Sequence, residues 1–426
     1  MDQKDRYYKA YVEILEKELI PAMGCTEPIA LACCAAKARA VLGEMPNKVL
    51  IETSGNIIKN VKSVIVPNTN GKKGIEAAAA IGIIAGREDA GLEVLSLVTE
   101  EQKAELSEYM KQTEFCVKQA ESDLLLDIII KVYGSNGQAI VRIANSHTNV
   151  VYVEKDGTVL LDKGIEERAE EDLQDYSLLT VQGICQFART VDLYDVKAVL
   201  DRQIAYNTAI SEEGLKGNYG ANIGSVLLES YGDDIRNRAK AKAAAGADAR
   251  MNGCEMPVII NSGSGNQGMT ASLPVIEYAE ELRAEKDKLY RALVISNLTA
   301  IHLKTGIGKL SAYCGAVSAG AGAGAGIAYL RGGDYEEIAH TIVNALAITS
   351  GIICDGAKAS CAAKIATAVD AGIFGYDMYL KGQQFYGGDG VVSVGVENTI
   401  RNIGRLGKDG MRETDKEILD IMTCVD

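Results

Sequence analysis

Apolar residues recur at helical spacing from Tyr7 to Leu19, and Pro21 ends the run. After the short loop Met23-Gly24-Cys25 a second helix is predicted. Thr26 serves as its N-cap, Pro28 fits the first turn, and the apolar run Ile29 to Leu42 closes at Gly43. The period then changes to two. Lys48 to Ser54 and Val61 to Val66 read as strands, followed by a helix from Ile75 to Ala85. Further strands are predicted at Glu93 to Val98, Leu124 to Val132, Gln138 to Ala144 and Val150 to Glu154, interrupted by a helix from Glu101 to Gln112. Beyond about Glu166 the strand signal fades. Helices are predicted at Glu170 to Arg189, Leu193 to Glu212, Ile235 to Ala245, Ala271 to Ala284, Asp287 to Leu303, Tyr335 to Thr349 and Ala362 to Ala371.

This change of pattern implies an α+β fold. N-terminal helices and a mixed sheet occupy residues 1–165, and an all-α part with a small-residue helical core occupies residues 166–426. A chain of 426 residues is also longer than one compact core usually organises, which favours two domains. The longest uncharged stretch, Leu310 to Leu330, is long enough to span a membrane. Its alternating Gly and Ala and its scarcity of Leu and Ile favour a buried central helix, so no membrane partner is expected.

Composition narrows the function. Lys and Arg number 44 against 58 Asp and Glu, a net charge of −14 that disfavours nucleic acid as a partner. Ten cysteines without a basic, then apolar, N-terminal signal point to a reducing cytoplasmic compartment and to thiol or metal chemistry. Three histidines, far apart and without an HExxH pattern, leave little scope for histidine catalysis. The sequence offers no signature for pyridoxal phosphate and no dinucleotide glycine motif.

Cys33, Cys34, Cys116 and Cys185 sit in apolar patterns and read as small buried hydrophobes, and Cys424 lies near the chain end. Cys314, Cys354 and Cys361 differ. In one unbroken helix Cys354 and Cys361 would lie about 10 Å apart along the axis, so a break is expected at Asp355-Gly356. A broken helix in a buried small-residue region suits a metal centre. Three thiolates without a compact CxxC pair suit an iron-sulfur cluster better than a closed zinc site. Cys25 precedes a helix N-terminus, a position expected to lower a thiol pKa, although it can equally be a residue filling a tight turn. Two polar glycine-rich segments are candidates for holding a small polar ligand. One carries Asn56 and Asn60 and continues to Asn70 and Gly71; the other carries Ser262, Ser264, Asn266 and Gln267. Either can also be no more than a turn.

Pro21-Ala22-Met23-Gly24-Cys25-Thr26-Glu27-Pro28, the 262–268 loop and the Cys314, Cys354, Cys361 set together resemble the L-cysteine desulfidase family of the serine dehydratase alpha-chain-like superfamily. The resemblance spans essentially the whole chain. It implies a 4Fe-4S iron-sulfur cluster on Cys314, Cys354 and Cys361, no pyridoxal phosphate, and Cys25 as catalytic base. The implied reaction is β-elimination from L-cysteine, a small amino-acid substrate, giving hydrogen sulfide, ammonia and pyruvate. Dehydration of L-serine by the same machinery stays open, as does a homodimeric assembly. A non-enzymatic iron-sulfur or zinc sensor or storage protein would use the three thiolates but leave Cys25 and both polar loops without a role.

Overall fold

The computed structural model describes residues 1–122, 124–165, 176–308 and 310–423. Its class is α+β, with helices and a mixed sheet first and a helical region after. Helix α1 (Arg6–Glu18) leads through the short strand β1 (Pro21–Met23) into α2 (Thr26–Leu42). The sheet comprises β2 (Lys48–Thr53), β3 (Glu114–Gln119), β4 (Asp127–Tyr133), β5 (Gln138–Ala144), β6 (Val150–Lys155) and β7 (Thr158–Asp162). The order across it is β3-β2-β4-β5-β6-β7. Only β2 and β3 run parallel. A parallel pair needs a crossover, which α3 (Gly55–Val61), α4 (Ile75–Ala85) and α5 (Glu100–Gln112) supply. Alternate residues Val49, Ile51, Ile128, Ile130, Val141 and Ile143 are fully buried, and α2 packs on β4 and β5. Cys34 on α2 sets its thiol 3.4 Å from the Val141 carbonyl, so it packs as a small apolar residue.

Two expected strands do not form. Residue Val61 ends α3, and the segment after it makes one isolated bridge, Ile65 to Lys73. The stretch expected at Glu93 to Val98 holds a single 3-10 turn, Gly91–Glu93, followed by turns. Both edges of β2 are already taken by β3 and β4, so neither segment has a free edge to join there. The strands that do form without a clear apolar alternation, β3 and β7, are the outermost two and stay largely exposed.

The helical half contains α6 (Val181–Thr190), α7 (Leu193–Lys216), α8 (Ile223–Tyr231), α9 (Ile235–Met251), α10 (Gly265–Glu281), α11 (Lys286–Ile307), α12 (Gly315–Leu330), α13 (Tyr335–Thr349), α14 (Cys361–Leu380), α15 (Val396–Arg405) and α16 (Arg412–Thr423). The first part of the helix expected at Glu170 to Arg189 lies outside the described residues, as does Cys424. A short strand, β8 (Pro257–Ile259), precedes α10. Among the described residues no helix is long and apolar enough to cross a membrane.

Helix α12 is the uncharged Gly-Ala stretch, and it is buried on nearly every side. Its alternation has a geometric reason. Glycines four apart share a helix face, so Gly320 and Gly324 meet α14 while Gly322 and Gly326 meet α11. A Cβ on Gly324 would sit 2.6 Å from the Gly372 carbonyl oxygen, and one on Gly322 would sit 2.5 Å from that of Ser296. Two neighbours thus approach α12 at backbone distance. The small residues are what allow it.

Candidate functional site

The short ladder between β1 and β8 ties the two halves of the chain together, with Pro21 opposite Ile259 and Met23 opposite Pro257. It sets the start of α2 beside the start of α10. Gly24 turns the chain between them with φ +56°, and a side chain there would collide with Pro67. The Thr26 hydroxyl lies 3.0 Å from the Gly263 carbonyl oxygen and locks the two loops. Cys25 is therefore the N-cap of α2, one residue earlier than the sequence suggests.

A cavity of about 100 Å³ opens at this junction. The first turns or caps of α2, α10, α12 and α14 all reach its wall, through Cys25, Ser264, Cys314 and Cys361. None of the four N-cap residues, Cys25, Ser264, Cys314 and Ser360, makes a side-chain capping bond. Uncapped amides and aligned helix dipoles favour negative charge at such a place.

The sulfur-bearing wall is built by a second small ladder. Tyr313 bridges Ile353, the Cys314 amide donates to the Ile352 carbonyl at 3.1 Å, and the Cys354 amide donates to the Ala312 carbonyl at 2.6 Å. Helix α13 ends at Thr349 and α14 starts at Cys361, so the chain does break around Asp355-Gly356. Gly356 takes φ +92° and packs on the Lys59 backbone, where a Cβ would collide. Cys314, Cys354 and Cys361 all line the cavity as free thiols. Burial, reinforced by Cys354, pushes the Cys314 thiol up to about 12. Burial also raises Cys361. Lysines stand around this wall. Lys364 and Lys358 pair with Asp355, and the buried Lys304 lines the cavity. Burial lowers the Lys304 pKa, against the pull of Cys354 and Cys314. Among the described residues no three His, Cys, Asp or Glu side chains gather tightly enough to hold a single metal ion.

Cys25 lines the same cavity, in a buried cluster that Cys361 packs against; it is 4 % exposed and donates its thiol proton to Glu27 Oε2 at 3.0 Å. Asn60 Nδ2 donates to the other Glu27 oxygen at 3.3 Å. The lowered thiol pKa expected from the helix start is not what forms. Burial, then the Glu27 carboxylate, holds the Cys25 pKa well above its ordinary value, with Arg250 pulling the other way. The thiol is neutral because desolvation outweighs the dipole.

Asn56, Asn60, Ser264, Asn266 and Gln267 also line the cavity. Asn266 and Gln267 belong to the first turn of α10, which begins six residues earlier than the apolar pattern suggests. Asn70, Gly71 and Ser262 are not among the lining residues. Asn70 and Gly71 form an exposed turn with positive φ, and the buried Ser262 hydroxyl donates to Asn261 Oδ1 at 2.9 Å, bracing the loop. The cavity wall also holds Glu27, Lys59, Arg250 and Lys304, none of which sequence reasoning selected. Glu27 lies inside the motif that carries the resemblance. Arg250 and Lys304 end helices, where a cation ordinarily complements the dipole. None of the three histidines lines the cavity.

The chain belongs to the serine dehydratase alpha-chain family, whose model matches residues 89–420. Relatives that match over nearly the whole chain include several named UPF0597 proteins. One from Desulfitobacterium hafniense (strain Y51) is 61 % identical over 99 % of this chain and 98 % of its own. Those of Treponema denticola and Bacteroides thetaiotaomicron are 48 % and 40 % identical, each over 97 % of this chain and 98 % and 97 % of their own. Cys314, Cys354 and Cys361 fall inside the family match. Cys25 falls outside it but within the length covered by the Desulfitobacterium relative.

Proposed function

We propose that the protein is an iron-sulfur-dependent carbon–sulfur lyase that removes sulfide from L-cysteine, leaving ammonia and pyruvate. The observation that carries this reading is that three free thiols and the Cys25–Glu27 pair line one small cavity. Soft thiolates are the ligand class an iron-sulfur cluster takes. Cys314, Cys354 and Cys361 would hold it, with Lys304, Lys358 and Lys364 offsetting their charge. When bound, the cluster supplies a Lewis-acidic iron for the departing sulfur.

The chain's own residues supply the proton chemistry. The Cys25 thiol first passes its proton to Glu27 Oε2, along the hydrogen bond it already makes. The thiolate so formed takes the substrate α-proton. The electrons of the C–H bond become the Cα–Cβ double bond, and the Cβ–S pair leaves with sulfur. Asn60 holds Glu27 in place, and Asn266 and Gln267 bracket the bound amino acid. The released aminoacrylate hydrolyses without further help.

A second reading, dehydration of L-serine, is favoured by the description of the family itself. Both substrates need the same base and the same carboxylate and ammonium contacts. Pyruvate formation from L-cysteine and L-serine, measured side by side on anaerobically prepared protein, decides between them. A higher kcat/KM for cysteine supports the desulfidase; a higher value for serine transfers the assignment to dehydration.

A further inference from the structure

Arg250, in the last turn of α9, is only 2 % exposed, and among the described residues no carboxylate forms an ion pair with it. Its guanidinium has five N–H groups. Nη1 donates to Asn266 Oδ1 at 3.1 Å, while Nε and Nη2 are buried without any partner. Gly265 leaves the room it occupies, because a Cβ there would press on Nε. A buried, unpaired guanidinium is costly to keep. The same cavity holds two acceptors with no donor, Gln267 Oε1 and Asn56 Oδ1. Orphan donors and orphan acceptors in one cavity are the complement of a molecule that carries both a carboxylate and an ammonium.

We infer that Arg250 binds the substrate carboxylate through its fork, while Gln267 and Asn56 accept hydrogen bonds from the α-ammonium. The site therefore selects free zwitterionic α-amino acids. A planar guanidinium matches a carboxylate with two parallel hydrogen bonds, a geometry that a lysine cannot reproduce. Asn266 holds the fork in register through Nη1. This assignment rests on the elimination reading, since it places the substrate between Arg250 and Cys25.

The test compares ligands that differ by one group, using anaerobically prepared protein. Thermal shift is recorded with L-cysteine, with L-serine, with ethanolamine, which lacks the carboxylate, and with 3-hydroxypropionate, which lacks the ammonium. At least one of the two amino acids should raise the melting temperature, and neither truncated ligand should do so at the same concentration. Arg250→Lys should weaken amino-acid binding and raise KM about 100-fold, with visible absorption and iron content unchanged. Arg250→Met should weaken it further. Protection of the parent by ethanolamine, no protection by either amino acid, or an unchanged KM or binding midpoint in Arg250→Lys would overturn the assignment. Carboxylate-dependent protection that Arg250→Lys loses, in a protein that forms no pyruvate from either amino acid, would keep the carboxylate site and remove the elimination reading instead.

Discussion

The Cys25 thiol donates to Glu27 Oε2 across 3.0 Å, and both residues are buried at the start of the same helix. A thiol held neutral by burial cannot act as a base until its proton has somewhere to go, and Glu27 is the acceptor within reach. Two substitutions should therefore fail alike. Cys25→Ser and Glu27→Gln should each lower kcat by about 10² to 10⁴ while keeping iron content and visible absorption. Loss of iron in Cys25→Ser would make Cys25 a metal ligand, and full turnover in Glu27→Gln would remove the relay.

Cys354→Ser should behave oppositely. Its backbone is pinned by the ladder to Ala312, so the fold has an anchor there that does not need the sulfur. The variant should keep its far-ultraviolet circular dichroism but lose iron and activity together, measured on the same anaerobic preparation. Retention of a full complement of iron would exclude Cys354 from the ligand set.

Much of this site is legible in the sequence because its residues interrupt the patterns around them. Gly24 precedes Cys25 and Gly356 follows two residues after Cys354, each in the turn that leads into a helix, and both adopt the positive φ that only glycine takes readily. The central strands β2, β4, β5 and β6 were legible from alternation, since each buries one face. Edge strands β3 and β7 were not, because neither has a face to bury. Arg250 and Lys304 carried no signal, since a cation in a last helical turn looks like a solvated partner of the dipole. Only the packing of α9 and α11 against the cavity reveals that they are buried. The direction of the Cys25 pKa shift was misread for a related reason: the dipole is visible in the sequence, and the desolvation that outweighs it is not.

The glycine faces of α12 give a prediction about stability. In an exposed helix Gly→Ala adds about 1 kcal/mol of stability. Gly324→Ala should instead destabilise by about 1–3 kcal/mol, because the new methyl meets the Gly372 carbonyl at 2.6 Å. Denaturant unfolding of the metal-free protein, compared with the parent, checks the sign.

Asp248 gives a pH prediction away from the cavity. Burial raises its pKa from 3.8 to about 6, partly opposed by the Gly224 amide that donates to Oδ2 at 3.2 Å. With the folded pKa above the unfolded one, the favourable contribution is complete below about pH 4 and is lost as pH rises through 6. Asp248→Asn stays neutral throughout and can still accept from Gly224. It should match the parent near pH 4 and exceed it by about 3 kcal/mol above pH 7, read from urea unfolding at several pH values. A constant difference across that range would show that Asp248 titrates normally.

The proposed lyase needs thiolate-held iron and the Cys25–Glu27 pair to act together on a β-substituted amino acid. The most direct measurement is of pyruvate and sulfide formed from L-cysteine by one anaerobic preparation before metal removal, after it, and after reconstitution with iron and sulfide. The loaded protein should absorb in the visible, contain iron and acid-labile sulfide, and release pyruvate and hydrogen sulfide in equal amounts. The stripped protein should release neither, and reconstitution should restore both. Equal turnover by the stripped protein, or no pyruvate from the loaded protein with either L-cysteine or L-serine, would contradict the account.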